Sequence, residues 1–477
     1  MKMKIKQLMS PFNKNTISIL LIFIIISSLS SITASAEADD KESMIIMLEE
    51  TNEIDVQKIS NKFPKIHVHL IKEINSLAVD NIETSQVSDI KDYAEKSLSI
   101  PSNNIVDDVK ISVPTSKVNM SVSQLTQDPN LLNDTDVKSY GNWMWDIKQV
   151  TNNYQSYDIN KGSHNIKVGI IDSGIDFNHP DLKKNIISEG KSFVPGDIST
   201  QDTLGHGTMI AGTIAANGKI TGVGPDIGLV PYRVFDQNGA DSSWVIEAII
   251  QATKDDMDVI NLSLSTFKSL KNKEDRNIIK AYQRAFKYAR KNNTIVVASA
   301  GNDGIDISNP KKSAEQLGIS DDLLLHIPGG QKDIITVSGT TKENTLASYS
   351  NYGKVISIAA PGGDYGPDWK NKQVMDINSF VLTTFPTNLP QTYLSNYLGF
   401  DQGYELMAGT SLATPKVTAS VALIKDEYFK KYGKEMSNSK VEKILYKNTD
   451  KFTNYDKDLF GSGTVNVYKA LINLNNK

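Results

Sequence analysis

Between residues 166 and 360 the chain alternates short, almost wholly apolar segments with longer segments of helical periodicity. The apolar segments are IKVGIID, LVPYRVF, DVINLSL, TIVVASAG, IITVSG and VISIAA. The helical patterns between them include GTMIAGTIAA, SWVIEAIIQATKD and RNIIKAYQRAFKYARKN. Continuous apolar runs are typical of parallel strands covered by helices on both faces. The alternation predicts an α/β fold with a doubly wound, mostly parallel sheet, whose active site lies at the carboxyl ends of the strands.

Composition removes several classes of function. The chain of 477 residues contains no cysteine, which excludes disulfide frameworks, thiolate zinc sites and cysteine nucleophiles. Its net charge is −4 and its lysines are scattered, so we expect no nucleic-acid partner. A chain of this length is expected to hold more than one domain.

The first 36 residues have the order of a secretory signal. Three lysines within the first six residues precede the apolar run ISILLIFIII, and small residues follow at Ala34 and Ala36. This order predicts a signal peptide over 1–36, cleavage after Ala36, and a secreted, extracellular protein without stable membrane insertion. The alternative is a retained anchor, since the run is only slightly shorter than a membrane span. The serine-rich segment that interrupts the run favours cleavage.

Residues 37–114 form a separate unit with the predicted order β-α-β-β-α-β, which indicates a small α+β domain with an open sheet. His67 and His69 alternate along one strand and resemble a metal pair, but a solvated strand face is the favoured interpretation because no third ligand stands nearby. Residues 115–139 are polar and weakly periodic, which predicts a linker exposed to proteolysis. The α/β domain then occupies 140–477.

Four polar residues are candidates for chemistry at the carboxyl edge of the sheet. Asp172 ends the first strand, Asn302 follows the strand TIVVASAG, and His206 opens the helix GTMIAGTIAA between two glycines. Ser411 stands in GTSLATPKV, ahead of another helix. Each residue alone has an ordinary explanation as a turn, a cap or a core residue. A serine nucleophile needs a base and an oxyanion donor, and the other three residues include both.

Together, the segments IIDSGID, GHGTMIAGT, ASAGND and GTSLATP resemble the subtilisin-like serine proteases in identity, order and spacing. The resemblance covers roughly residues 140 to 470. It implies a triad of Asp172, His206 and Ser411, with Asn302 as oxyanion donor. It also implies that Ser411 begins a helix, where Pro415 is tolerated because a first-turn residue needs no intrahelical N–H partner.

The resemblance also implies a peptide substrate that binds as an extended strand between the segments NGAD and LSLS. The residues expected to bind substrate are Gly239, Ser263, Leu264, Ser265, Ala300, Gly301 and Asp303. The unit before the linker then resembles the inhibitory, folding-assisting propeptide of this family. We therefore expect the propeptide to be a partner of the mature domain until it is removed.

Departures from the common family pattern narrow the expected activity. Leu412 follows the nucleophile where many relatives carry methionine, and Lys416 replaces a histidine common after the Thr-Pro pair. The form SLATPKV is similar to that of the lantibiotic leader peptidases, so the expected substrate is a lantibiotic precursor. The alternatives are a broad-specificity extracellular protease and an inactive binding protein of the same fold.

No cofactor is expected for the chemistry. The segment AANGKITGVGP is shorter than in calcium-rich relatives, and Asp181 alone does not define a calcium site, so structural calcium stays an open expectation without assignable ligands.

The resembled branch generally cuts after arginine, and the segment after Asn302 offers four carboxylates as candidate partners for a substrate arginine. They are Asp303, Asp306, Asp321 and Asp322. The alternative is that they are solvated loop charges. All arginines of the chain lie in the α/β domain, which predicts slow self-processing at a non-arginine bond between Pro114 and Asp136.

Overall fold

The computed structural model describes residues 41–108, 110–112, 140–319, 321–453 and 455–476. The predicted signal peptide and the predicted linker lie outside these ranges, so both assignments stay predictions. One compact unit comprises Glu42–Lys477. Within the described ranges, no helix combines the length and the apolar character needed to cross a membrane.

The N-terminal region is a separate α/β segment with a four-stranded antiparallel sheet in the order β2-β3-β1-β4. Its elements are β1 (Glu42–Met47), α1 (Glu53–Lys62), β2 (His67–Ile71), β3 (Ser76–Ile82), α2 (Val87–Ser97) and β4 (Ile105–Asp107). Ile59 of α1 and Ile90 and Ala94 of α2 are fully buried against the inner face of the sheet. The predicted β-α-β-β-α-β order is confirmed.

The two histidines of β2 bind one carboxylate of β3. His67 Nδ1 lies 2.9 Å from Asp80 Oδ1, and His69 Nε2 lies 3.5 Å from Asp80 Oδ2. Both imidazoles are about half exposed. Among the described residues, no group of three or more His, Cys, Asp or Glu side chains is arranged to hold a metal ion.

The larger domain is built on seven parallel strands in the order β13-β12-β10-β8-β5-β7-β6. Its strands are β5 (Lys167–Asp172), β6 (Lys191–Ser192), β7 (Gly228–Arg233), β8 (Val259–Leu262), β9 (Thr266–Ser269), β10 (Ile295–Ser299), β11 (Leu324–Ile327), β12 (Ile335–Thr340), β13 (Ile358–Pro361), β14 (Val381–Thr384) and β15 (Tyr404–Met407). Each of the six apolar segments became a strand of this sheet. The doubly wound, mostly parallel α/β fold is therefore confirmed.

Helices cover both faces of the sheet. They are α3 (Trp145–Thr151), α4 (His206–Ala215), α5 (Ser242–Lys254), α6 (Lys273–Lys291), α7 (Pro310–Gln316), α8 (Trp369–Lys372), α9 (Tyr393–Tyr397), α10 (Thr410–Tyr432), α11 (Asn438–Lys447), α12 (Lys457–Phe460) and α13 (Val467–Asn475). Helix α10 is buried from Thr410 to Asp426, because it packs against α4 and against the central strands. This deep position fixes the start of α10 relative to the carboxyl edge of the sheet.

Two antiparallel pairs lie outside the parallel sheet, β9 with β11 and β14 with β15. The sequence pattern did not predict them, because these strands are short and are not continuous apolar runs. Strand β9 begins directly after Ser263–Ser265, so β9 and its partner β11 form a wall next to the candidate site.

Candidate active site

Asp172 and His206 form a buried pair at the end of β5. Both carboxylate oxygens of Asp172 lie against His206 Nδ1, at 2.8 and 2.9 Å. Asp172 is fully buried, and its Oδ1 also accepts a hydrogen bond from the Ser173 N–H at 2.8 Å. Since a carboxylate only accepts hydrogen bonds, Nδ1 carries the proton. In a neutral His206, the Nε2 atom then carries a lone pair that can accept a proton.

Glycines bring the start of α4 close to the turn after β5. A Cβ atom on Gly207 would lie 2.1 Å from the carbonyl oxygen of Gly174, a distance that no side chain tolerates. Gly205, which precedes the helix, has φ of +100°, a conformation that favours glycine. The GHG sequence is therefore the local reason why His206 reaches Asp172.

Two further residues hold this turn, and sequence reasoning did not identify them. Asp202 accepts from the N–H groups of Gly205 and Thr208, at 2.8 and 2.9 Å, and from the Ser173 hydroxyl at 2.9 Å. Ser173 Oγ in turn accepts from the Gly207 N–H at 2.8 Å. An acidic residue just before a helix is a capping signal, which could have indicated Asp202 from the sequence.

The environment of His206 favours its protonated form. Burial lowers its pKa, but the charge and hydrogen bond of Asp172 and the charge of Asp202 outweigh burial, so the pKa lies above its usual value. An imidazolium that forms during a reaction would thus be stabilised by Asp172.

Ser411 is the second residue of α10 and shares a cavity with His206 and Asn302. Its hydroxyl donates to the Ser263 carbonyl at 3.2 Å. His206 Nε2 is buried and has no hydrogen-bond partner in the described part of the chain. Ser411 and His206 line the same cavity, which makes the Ser411 hydroxyl a candidate donor to Nε2.

The expectation that Pro415 lies in the first turn of its helix is wrong. Helix α10 begins at Thr410, so a residue at position 415 would normally donate its N–H to the Ser411 carbonyl. Proline cannot do so. The Ser263 hydroxyl donates to that carbonyl at 2.8 Å instead, which explains how the helix tolerates proline there.

Asn302 has a fixed orientation. Its Oδ1 accepts from the N–H and the hydroxyl of Thr410, at 2.9 and 2.7 Å, so its amide nitrogen points elsewhere. Asn302 Nδ2 and Ser411 N lie 3.6 and 3.8 Å from the position that a Cβ on Gly409 would occupy. Two N–H donors thus converge beside Gly409, a geometry suited to a developing oxyanion.

One predicted wall of the cleft is paired with the N-terminal region. Ile111 exchanges two backbone hydrogen bonds with Ala240, from Ile111 N to Ala240 O at 2.6 Å and from Ala240 N to Ile111 O at 2.8 Å. Gly239 has φ of +116°, and a Cβ there would lie 2.6 Å from the Ile111 carbonyl oxygen. The backbone after β4 therefore lies antiparallel to the segment NGAD.

The opposite predicted wall is the segment LSLS, whose side chains are largely buried. Ser263 is buried against Ser411, and Ser265 is partly exposed. The Leu264 side chain is fully buried in the core beneath α5 and α6, so it cannot line the cleft, while its carbonyl accepts from Ser299 Oγ at 3.3 Å.

The segment after β10 separates into core and surface positions. Ala300 is buried in a small apolar cluster with Ile305 and Ile307. The Gly301 carbonyl accepts from the Asn351 N–H at 3.0 Å. Asp303 is exposed and accepts from Asn351 Nδ2 at 2.9 Å.

The four candidate carboxylates for an arginine do not converge. Asp306 accepts from the Ser308 N–H and lies 3.8 Å from Lys312 Nζ. Asp322 accepts from the Ser269 hydroxyl at 2.6 Å, and Asp321 is exposed on a turn. Of the four, Asp303 alone lies against Gly301.

Asp181, the residue considered for calcium, is buried and bound by the backbone of a neighbouring segment. Asp181 Oδ2 accepts from the Ile220 N–H at 3.0 Å. The nearby ammonium of Lys219 pairs with Asp401. The hydrogen bond with Asp401 raises the pKa of Lys219, and the charge of Asp181 raises it further. Lys219 therefore adds positive charge near the Asp181 carboxylate, which disfavours a cation there.

A sequence model described as the subtilase family matches residues 163–463, which is more than half of the chain. The chain belongs to the subtilase family. Among its relatives, the epidermin leader peptide-processing serine protease EpiP of Staphylococcus epidermidis is 32% identical over 356 residues, covering 69% of this chain and 73% of that protein. The nisin leader peptide-processing serine protease NisP of Lactococcus lactis subsp. lactis is 32% identical over 323 residues.

Solved structures show the same likeness. The crystal structure of EpiP from Staphylococcus aureus matches 92% of this chain and 99% of that chain, with a TM-score of 0.69 and 28% identity. The sequence match to NisP covers 62% of this chain but only 45% of the full NisP protein. The family and these relatives identify the subtilase as a serine endopeptidase.

Proposed function

We propose that this subtilase is a secreted endopeptidase that removes the leader peptide from a lantibiotic precursor. The observation that carries the proposal is the convergence on one cavity of the Asp172–His206 pair, Ser411 and the Asn302 amide. The similarity to EpiP and NisP, whose names state leader-peptide processing, supports the substrate. Secretion rests on the signal-like order of residues 1–36.

In the proposed first half-reaction, His206 Nε2 takes the proton of the Ser411 hydroxyl while Oγ bonds to the carbonyl carbon of the scissile peptide. Asp172 holds the Nδ1 proton and stabilises the imidazolium. The oxyanion accepts hydrogen bonds from Asn302 Nδ2 and the Ser411 N–H. The C–N bond then breaks, and His206 returns the proton to the departing amine.

In the second half-reaction, water takes the place of the amine. His206 accepts a proton from the water as its oxygen bonds to the acyl carbon, and the same two N–H donors hold the new oxyanion. Cleavage of the ester bond returns the proton to Ser411 Oγ. No cofactor takes part in either half-reaction.

We further propose that residues 37–114 are an inhibitory propeptide. The Asp108 carboxylate accepts from the N–H groups of Ser242 and Ser243 at the start of α5, at 3.0 and 2.7 Å. A carboxylate at a helix N-terminus is favoured by the helix dipole. The pairing of Ile111 with Ala240 uses a backbone edge that an extended substrate would need. Cleavage between Pro114 and Asp136, outside the described residues, would release this segment.

The two alternatives have different signatures. A broad-specificity protease would cut a protein such as casein at many bonds. An inactive binding protein would need no oriented base, so the contact of both Asp172 oxygens with His206 favours an enzyme over that alternative.

The test compares Ser411→Ala with Ser420→Ala on a precursor peptide that carries its full leader. Ser420 lies on the same helix, and its hydroxyl donates to the Lys416 carbonyl. We expect Ser411→Ala to release no leader and Ser420→Ala to retain the normal rate. Leader release by Ser411→Ala at the wild-type rate would remove the proposed mechanism.

A further inference from the structure

Helix α10 carries Ser411 at its second position and lacks one of its own hydrogen bonds directly behind that residue. The bond would join the residue at position 415 to the Ser411 carbonyl, and Pro415 has no N–H to donate. The Ser263 hydroxyl donates to this carbonyl at 2.8 Å. A residue on another segment of the chain therefore supplies the hydrogen bond that the helix cannot make for the peptide group after Ser411.

Ser263 contacts Ser411 at a second point. The Ser263 backbone carbonyl accepts from the Ser411 hydroxyl at 3.2 Å, so Ser263 holds the backbone of Ser411 with its side chain and the side chain of Ser411 with its backbone. Ser263 is fully buried and directly follows β8, the central strand of the parallel sheet. The two contacts thus connect the start of α10 to the middle of the sheet.

Asn261 on β8 determines the direction in which the Ser263 hydroxyl donates. The Asn261 amide nitrogen lies 2.9 Å from Ser263 Oγ and only donates, so the single hydroxyl proton of Ser263 is directed to the Ser411 carbonyl. The Asn261 amide is oriented in turn by Thr418 of α10, whose hydroxyl donates to Asn261 Oδ1 at 2.8 Å. Asn261 and Thr418 are both fully buried. The opposite amide orientation would draw the Ser263 proton to Asn261 Oδ1 and remove the donor that replaces Pro415.

We infer that Asn261 and Ser263 are positioning residues for Ser411. Both side chains act through the Ser411 carbonyl and not on the reacting atoms, and the inference rests on the proposed nucleophilic role of Ser411. That carbonyl is attached to the Cα atom that bears both the attacking hydroxyl group and the N–H that donates to the oxyanion. A shift of the carbonyl therefore displaces both groups, and a misplacement of about 1 Å can lower the rate about 100-fold.

The experiment removes the Ser263 hydroxyl and then restores a donor from within the helix. The enzymes are the mature wild type, Ser263→Ala, Pro415→Ala and the double variant, because Pro415→Ala restores the N–H that can donate to the Ser411 carbonyl. On one cleavable peptide, we expect kcat of Ser263→Ala to fall about 10- to 100-fold, with KM changed less than about threefold. Pro415→Ala alone should change kcat little, because Ser263 still supplies the donor. The double variant should regain at least about fivefold in kcat over Ser263→Ala.

Two further variants sharpen the comparison. Ser338→Ala is the matched control, because Ser338 is a fully buried serine of β12 whose hydroxyl donates to the carbonyl of Leu459 in α12 at 2.7 Å. We expect it to keep the wild-type kcat and KM. Asn261→Asp replaces the amide donor by a carboxylate oxygen that accepts the Ser263 proton. Its kcat should therefore fall as in Ser263→Ala and should also recover with Pro415→Ala.

Turnover is expressed per Ser411 that reacts with a fluorophosphonate in a complete titration, so a loss of folded enzyme does not count as a loss of kcat. Wild-type kcat in Ser263→Ala would overturn the inference, and so would an equal loss with and without Pro415→Ala. If Asn261→Asp fails to fold, Ser263→Ala and its double variant decide the question. A wild type that neither reacts with the fluorophosphonate nor cuts the peptide would instead contradict the proposed function.

Discussion

Two buried carboxylates of this subtilase each pair with a basic side chain, but the two basic side chains differ in their access to the cavity that contains Ser411. Asp172 pairs with His206, and Asp146 pairs with Lys416 at 2.8 Å; both carboxylates are essentially inaccessible. His206 keeps a second nitrogen on the cavity that contains Ser411. The Lys416 ammonium is wholly enclosed.

The ammonium of Lys416 donates to the Leu412 carbonyl at 3.0 Å, on the same turn of α10 as Ser411. Burial lowers the pKa of Lys416, and Asp146 opposes this effect. A buried pair can take part in chemistry when one partner reaches the cleft, as His206 does. A pair without that access can only position its helices. The lysine after the Thr-Pro pair therefore joins α10 to α3, which carries Asp146.

Asp172→Asn should give the largest effect. An amide can donate to His206 Nδ1 and stabilise the wrong tautomer, so we expect turnover to fall on the order of 10⁴-fold, as in other triads. The free energy of unfolding should change far less. The measurement pairs kcat on a cleavable peptide with denaturant unfolding, and turnover within tenfold of wild type would contradict the role given to Asp172.

Asp146→Ala should reverse this pattern. It leaves Lys416 buried without its counter-charge, so we expect a loss of about 3–5 kcal/mol in the free energy of unfolding. The double variant Asp146→Leu with Lys416→Met should recover most of that loss, because an apolar pair of similar volume needs no charge compensation. Denaturant unfolding of the single and double variants checks this. A double variant as unstable as Asp146→Ala would show that the ion pair itself is required.

The pH dependence of activity tests the cleft pair alone. His206 acts as a base when neutral and its pKa is raised, so kcat/KM should rise with pH around a midpoint above 6.5. The sign for stability is opposite. The contribution of the protonated pair is fully present below pH 6.5 and is lost as pH rises through the folded pKa. A midpoint at or below 6.5 would contradict the conclusion that Asp172 and Asp202 together outweigh burial.

The smallest effect is expected at a third buried carboxylate, Asp181. Because its oxygen binds the Ile220 N–H and the Lys219 ammonium stands nearby, we expect EDTA to leave the thermal midpoint unchanged. Thermal unfolding with EDTA and with added calcium measures this. A calcium-dependent rise in the midpoint that Asp181→Ala abolishes would show that Asp181 binds the metal.

The parallel sheet and the triad candidates were predictable because they depend on local patterns. Apolar runs identify strands buried on both faces, and Asp172 stands at the end of one of them. The glycines beside His206 indicated close backbone approach. Asp202, which precedes the helix of His206 and accepts from the Thr208 N–H, was not predicted.

Other features depend on contacts between residues far apart in the chain. Lys416 and Asp146 are 270 positions apart, and no periodicity links them. The wall formed by β9 and β11 arises from two short strands far apart in the chain, so no local pattern predicts it. The same limit applies to the four aspartates after Asn302, which are candidate partners of an arginine in the sequence and are dispersed in the structure.

The central claim is that the Asp172–His206–Ser411 site removes a leader by cutting one bond. The most direct measurement is mass spectrometry of all products formed when the mature enzyme acts on a modified lantibiotic precursor and, separately, on casein. We expect a single cut at the leader junction of the precursor and little cleavage of casein. An intact precursor, or comparable cleavage of casein at many unrelated bonds, would contradict it.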